Sequence, residues 1–246
     1  MRRGRRASHP PGTPGAPITK MPRTLPWRTL IHFAIAVAAT WIFVEIAEEV
    51  LEGEYDAPDR AIALAIHHHL DSWLLDRVMI TVTHLGSGPM ITVVVVATVV
   101  WLLRAGHRRA AAILVTDAVV SQLLVYALKE LVQRPRPTLF DEITRPETWS
   151  FPSGHSLSAM AIYGSIAAVV IIYRRAHRGL VIAAATLLIG AIGFSRIYLG
   201  VHWPFDVLAG FAAGVPLVVA TVHLLHTRGG PKGHRQADPM NVYSRA

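Results

Sequence analysis

At 246 residues, 52% hydrophobic and only 16% charged, the chain is too apolar for an ordinary soluble domain and has room for one domain rather than two. Its net charge of +8 lies in short clusters between apolar runs, with no aromatic-interleaved basic face, which argues against a nucleic-acid binder. The absence of cysteine excludes disulfides and thiol catalysis.

Residues 1–26 are rich in Pro, Gly and Arg, carry no apolar periodicity and read as a disordered basic tail. The long leader, with no clear cleavage site after the first apolar run, favours a retained anchor over a removed signal peptide. Six apolar runs follow: Leu30–Ile46, Val78–Leu103, Ala110–Leu128, His155–Tyr173, Gly179–Leu199 and Pro204–Leu225. Several approach or exceed the roughly 18–20 residues that cross a bilayer as helix. The second is long, and Gly86-Ser87-Gly88-Pro89 is expected to break or tilt its first part. Between the first two runs lies an acidic stretch, residues 47–77, with a short amphipathic helix expected around Asp59–Leu70. The expected fold is all-α: a six-transmembrane-helix bundle over residues 27–227, followed by a second disordered tail at 228–246.

Counting basic residues gives an orientation. With the amino terminus in the cytoplasm, 17 of the 24 Lys and Arg fall in cytoplasmic segments, as the positive-inside rule requires. The expectation is a multi-pass protein of the cytoplasmic membrane with both termini inside. Three polar clusters at helix ends then share the outer face.

Lys129, Arg136 and Arg196 are the cations of these clusters. Phosphoryl transfer spreads negative charge over three equatorial oxygens, and its catalysis is mainly positioning and electrostatic stabilisation. Guanidinium forks suit that task. Contact with lipid headgroups is the plainer reading, and for Lys129 alone the better one. It fits Arg196 poorly, because a cation in an apolar stretch needs an anionic partner. Pro152-Ser153-Gly154-His155 reads as a tight turn into a helix whose free N–H groups favour an anion, with His155 placed to donate a proton. A plain helix start with Ser153 as cap would look the same. His202 and Asp206 are four apart, with Pro204 suited to a first helical turn. That spacing lets the carboxylate fix one imidazole nitrogen and leave the other free to attack. A structural or metal-binding His–Asp pair is the alternative.

Taken in order, the clusters are Lys129, six residues, Arg136-Pro137; then Pro152-Ser153-Gly154-His155; then Ser195-Arg196, five residues, His202, three residues, Asp206. This resembles the three-part signature of the type-2 phosphatidic acid phosphatase superfamily, which also contains vanadium haloperoxidases and bacterial nonspecific acid phosphatases. No defining position departs from it, and the resemblance covers about residues 28–226. It implies that His202 is the nucleophile that forms a phosphohistidine, that Asp206 orients it, and that His155 is the general acid. It implies that Lys129, Arg136, Ser153, Gly154 and Arg196 hold the phosphoryl oxygens, with no metal and no cofactor.

The function so implied is hydrolysis of a lipid phosphate at the membrane, with undecaprenyl diphosphate as first expectation and phosphatidic acid or phosphatidylglycerol phosphate next. A lipid phosphotransferase would share every residue, and a non-enzymatic lipid transporter is a further alternative. The bilayer and a lipid substrate are the expected partners, with no nucleic acid and no obligate protein. Outside the signature, His67-His68-His69 reads as a solvated helix face rather than a metal site. Asp117, Ser121 and Gln122 are expected to pair with other helices, and Gly210 and Gly214 to mark a close helix contact within the bundle. Arg134, beside the signature, could help with a second phosphate, but nothing in the sequence shows that it does.

Overall fold

The computed structural model describes residues 27–70, 72–139, 148–174 and 177–227; the expected tails at 1–26 and 228–246 lie outside them. The described residues form eight helices and no strand. They are α1 (Trp27–Glu52), α2 (Asp56–Leu70), α3 (Trp73–Leu85), α4 (Gly88–Arg104), α5 (Arg108–Val132), α6 (Gly154–Arg174), α7 (Arg178–Tyr198) and α8 (Pro204–Thr227). Hydrocarbon offers no hydrogen bonds to the backbone, so an apolar run that enters it must satisfy its own N–H and C=O groups as helix. Five of these helices are long and apolar enough to cross a membrane, and α3 with α4 makes a sixth span bent by 52°.

The bend falls where the Gly-Ser-Gly-Pro run predicts it. Ser87 stops α3 and starts α4: its hydroxyl donates to the carbonyl of His84 at 2.7 Å and accepts from the N–H of Met90 at 3.5 Å. Pro89 occupies the first turn of α4, where its missing N–H costs nothing. The amphipathic helix expected at Asp59–Leu70 begins three residues earlier, as α2. Its His67, His68 and His69 are exposed, and no three His, Cys, Asp or Glu among the described residues are placed to hold a metal ion.

α6 is the central helix, packed on α4, α5, α7 and α8, while α1 lies along α8. Close approach of α6 and α8 depends on missing side chains. A Cβ at Gly210 would lie 2.7 Å from the carbonyl oxygen of Ser153, and one at Gly214 would lie 2.7 Å from Cβ of Met160. Both glycines therefore serve a contact inside this bundle. Polar side chains tie the same helices together at mid-depth. Asp117 Oδ2 on α5 accepts from Ser165 on α6 at 2.7 Å and from Thr221 on α8 at 2.6 Å. Gln122 donates to Ser158 at 3.0 Å. Ser121 departs from the expectation: it bonds the carbonyl of Ala118 on its own helix, at 2.9 Å. Large apolar side chains such as Trp41, Leu123 and Leu187 face outward, as they do where lipid rather than water is the solvent.

The connections bring the C-terminal ends of α5 and α7 and the N-terminal ends of α6 and α8 to one end of the bundle. The start of α1 and the end of α8 meet at the other, where the rings of His32 and His223 are 5.9 Å apart. An even number of spans requires this shared side.

Candidate active site

Each signature cluster is delivered by a helix terminus. α5 closes on Gln133 in the left-handed conformation, whose N–H returns to the carbonyl of Lys129 at 3.0 Å. The run Arg134-Pro135-Arg136-Pro137 then cannot be helical, because each proline holds its predecessor extended. It carries Arg136 across the end of the bundle. There Arg136 donates to the carbonyl of Thr148 at 2.7 Å and to that of Val201 at 2.5 Å. Lys129 donates to the carbonyl of Trp149, which Arg136 also reaches at 3.3 Å. Ser153 caps α6, accepting from the N–H of Ser156 at 3.4 Å. Gly154 lies against Val125 of α5, where a Cβ would come within 3.0 Å. His155 follows, its ring beside Gly86 at the α3–α4 break; a Cβ at Gly86 would lie 3.0 Å from that ring. Arg196, on the last turn of α7, is buried; its NH1 donates to Thr83 at 2.6 Å, and its Nε is buried with no hydrogen-bond partner. A buried guanidinium N–H left unpaired is rare, and it suits a site that receives an anion.

His202 sits in the turn between α7 and α8 and is almost wholly buried. Nδ1 lies 3.4 Å from Asp206 Oδ2 and 3.3 Å from the hydroxyl of Ser150, while Nε2 lies 3.3 Å from NH1 of Arg136. The partners select the tautomer. A guanidinium only donates, so Nε2 facing Arg136 carries its lone pair; a carboxylate only accepts, so Nδ1 carries the proton. Burial, assisted by Arg196 and Arg136, outweighs Asp206 and lowers the pKa of His202 to about 3. The ring is therefore neutral at physiological pH, with its unprotonated nitrogen directed at Arg136.

Asp206 is held from several sides. Ser150 donates to Oδ2, the N–H of Trp203 donates to Oδ2 at 3.0 Å, and Arg134 donates to Oδ1 at 2.9 Å. The Trp203 bond is the return half of a capping box, an acid at the third helical position holding the cap N–H. Arg134 is thus no spare phosphate ligand. It is buried and also pairs with Asp59 at 2.8 Å and Asp56 at 3.2 Å. Asp59 in turn accepts the N–H of Phe205 at 2.9 Å, and Tyr55 stacks on the Phe205 ring at 3.7 Å. The acidic segment before α3 so becomes a layer behind His202 and Asp206. The structure brings all eight signature residues to one end of the bundle, turns Arg134 to carboxylates rather than to phosphate, and adds Ser150, Asp59 and Thr83, which sequence reasoning did not assign to the site. Ser150 adjoins the Phe-Pro-Ser-Gly-His run and Arg134 adjoins Arg136, but neither position carries a period or motif that announces its partner.

Arg134→Gln is expected to lower kcat about 10–100-fold, as loss of an outer partner of a catalytic ligand does, with little change in KM. Arg134→Lys should recover part of the loss. Steady-state kinetics of the two variants provide the check. A raised KM at unchanged kcat would instead make Arg134 a phosphate ligand.

Comparison with known proteins decides the family. Residues 110–229 match the PAP2 superfamily. Phosphatidylglycerophosphatase B of Bacillus subtilis is 31% identical over 180 residues, covering 71% of this chain and 87% of that protein. The chain belongs to the PAP2 superfamily. A crystal structure titled as the first transmembrane PAP2 type phosphatidylglycerolphosphate phosphatase from Bacillus subtilis aligns with a TM-score of 0.65 at 28% identity, covering 77% of this chain and 94% of that one. The undecaprenyl-diphosphatase of Sulfolobus acidocaldarius is 30% identical over 106 residues, 41% of this chain and 48% of that protein. PAP2 membership and the apolar helices make this a multi-pass membrane phosphatase of lipid metabolism.

Proposed function

We propose that this PAP2 protein hydrolyses a phosphomonoester lipid, with phosphatidylglycerol phosphate as its first substrate, through a phosphohistidine on His202 and without a metal ion. The orientation of His202, with Nδ1 on Asp206 and Nε2 toward Arg136, carries the reading. An oxygen held by Arg136 puts phosphorus within reach of the Nε2 lone pair. Nε2 attacks, the P–O bond to the lipid breaks, and His155 gives its proton to the leaving alkoxide. Water, deprotonated by His155, then attacks the phosphohistidine and returns His202 to its starting state. Lys129, Arg136, Arg196 and the first N–H groups of α6 neutralise the oxygens through both steps. Such fixed charge can serve where other phosphatases use Mg²⁺.

Two observations favour a monoester over the diphosphate carrier lipid that the sequence placed first. Arg134, the cation nearest to serving a second phosphate, is committed to three carboxylates. The phosphatidylglycerophosphatase matches over 87% of its length, against 48% for the undecaprenyl-diphosphatase and 69% for the putative undecaprenyl-diphosphatase of Escherichia coli. The test is phosphate release by detergent-purified protein in excess EDTA from phosphatidylglycerol phosphate, phosphatidic acid and undecaprenyl diphosphate. Phosphatidylglycerol phosphate should be fastest, unaffected by chelator and inhibited by vanadate, which mimics five-coordinate phosphorus. Activity that needs Mg²⁺, or a faster diphosphate, would overturn the corresponding part. Phosphate consumed without release, in the presence of an alcohol acceptor, would make the protein a transferase.

The orientation proposed is both termini in the cytoplasm and the site facing out. The chain has no cysteine, so single labels report cleanly. In intact cells an impermeant maleimide should label Ser72→Cys and spare Ala105→Cys, both exposed positions at opposite ends of the bundle. The reverse pattern would invert the protein.

A further inference from the structure

One sizeable cavity lies away from the chemistry. α7 and α8 touch at Gly193, where an added Cβ would come within 2.3 Å of Phe211. One turn further from the catalytic end, a Cβ at Gly190 would meet nothing within 4 Å. Beyond this point a crevice opens between the two helices, while Gly164 keeps α6 close to Val218 of α8. The result is a crevice of about 1030 Å³ with α6 as its floor, lined by apolar side chains including Ile182, Ala185, Phe211 and Val222. On α6 it runs from Met160 to Ile172. At about 1.5 Å per residue that is roughly 18 Å, close to half of a hydrocarbon core about 30 Å thick. Its depth is one leaflet.

The mouth of the crevice is basic. Arg178 and His226 line it, at the first residue of α7 and the last turn of α8. This whole end of the bundle carries Arg28, Arg104, Arg108, Arg109, Arg174 and Arg178. Among the described residues it has no carboxylate; Asp117 is nine residues into α5 and bonded to Ser165 and Thr221. A basic pocket between transmembrane helices that opens on an apolar channel is suited to an anionic headgroup with its chain below.

We infer that the α6–α7–α8 crevice is a binding site for an anionic glycerophospholipid of the leaflet opposite the catalytic end. One acyl chain lies along Gly190 and Phe211, and the phosphate meets Arg178 and His226. The occupant is a ligand of the fold and not a substrate, since the basic mouth that holds its phosphate and the His202 site lie at opposite ends of α8.

The experiment uses the full chain in detergent, saturated with vanadate to occupy the catalytic site. Dioleoyl phosphatidylglycerol and dioleoyl phosphatidylcholine are titrated and bound lipid is read by native mass spectrometry. Phosphatidylglycerol should bind more tightly, and Arg178→Ala should weaken it about fivefold, the effect of one basic residue near an anionic group. The same substitution should leave phosphatidylcholine unchanged. Gly190→Trp, or the smaller Gly190→Leu, should remove both lipids by filling the crevice. Leu187→Trp, on the outward face of α7, should remove neither. Phosphate release by these variants shows that they are folded. Equal affinity for the two lipids, insensitivity to both Gly190 substitutions, or loss of bound lipid on adding vanadate would each overturn the inference. The last outcome would place the lipid in the catalytic site.

Discussion

His202→Ala should abolish phosphate release and the covalent intermediate together. Nε2 of this ring is the nitrogen held beside Arg136, and Asp206 and Ser150 hold the opposite nitrogen so that the lone pair cannot turn away. The loss should be of order 10⁴–10⁶ in kcat, as for removal of a nucleophile from a site whose other parts remain. The same environment predicts the pH response. With its pKa lowered to about 3, His202 stays neutral from about pH 4 upward. Protonation of the nucleophile should therefore produce no loss of kcat/KM between pH 5 and 7, the range in which a free imidazole with pKa ≈ 6.5 would fail. Rapid-quench labelling with radioactive phospholipid gives the decisive readout. Label trapped on His155, or turnover that survives in His202→Ala, would reverse the assignment. So would an acid limb near pH 6.5 that is the same for substrates of different phosphate pKa.

The second large effect is conditional. His155→Ala should slow hydrolysis of alkyl phosphate lipids by roughly 10²–10⁴, the usual contribution of a general acid. An alkoxide is a poor leaving group and needs its proton as the P–O bond breaks. A nitrophenyl phosphate should lose much less, because its phenolate departs unprotonated. His155 begins α6 beside the Gly86 break, so its ring is carried by one helix and buttressed by another. Comparing the two leaving groups in one variant separates acid catalysis from a general loss of folding, which would lower both equally. Equal losses would remove His155 from this role.

The membrane layout was legible because it depends on short windows of sequence. A run of apolar residues near 20 long has one outcome in hydrocarbon, and a Gly-Ser-Gly-Pro interruption inside such a run cannot continue the helix. The polar clusters of the candidate site were legible for a similar reason. Cations, histidines and a carboxylate at the ends of apolar runs must face water or one another, and His202 with Asp206 are one helical turn apart. The supporting residues were not legible. Arg134 meets Asp206 across 72 positions and Asp56 across 78, and Arg196 meets Thr83 across 113. Such pairs have no period, and a basic residue next to a phosphate motif looks the same whether it will face phosphate or carboxylate. Ser121 likewise looks like an interhelical donor until its rotamer turns it to Ala118. Sequence by itself determined which segments form apolar helices long enough to span a membrane and which polar clusters stand at their ends, since hydropathy and side-chain chemistry are local. Only the tertiary structure decided that Arg134 pairs with Asp206 and that a crevice opens between α7 and α8 past Gly193, because both depend on how closely packed helices approach.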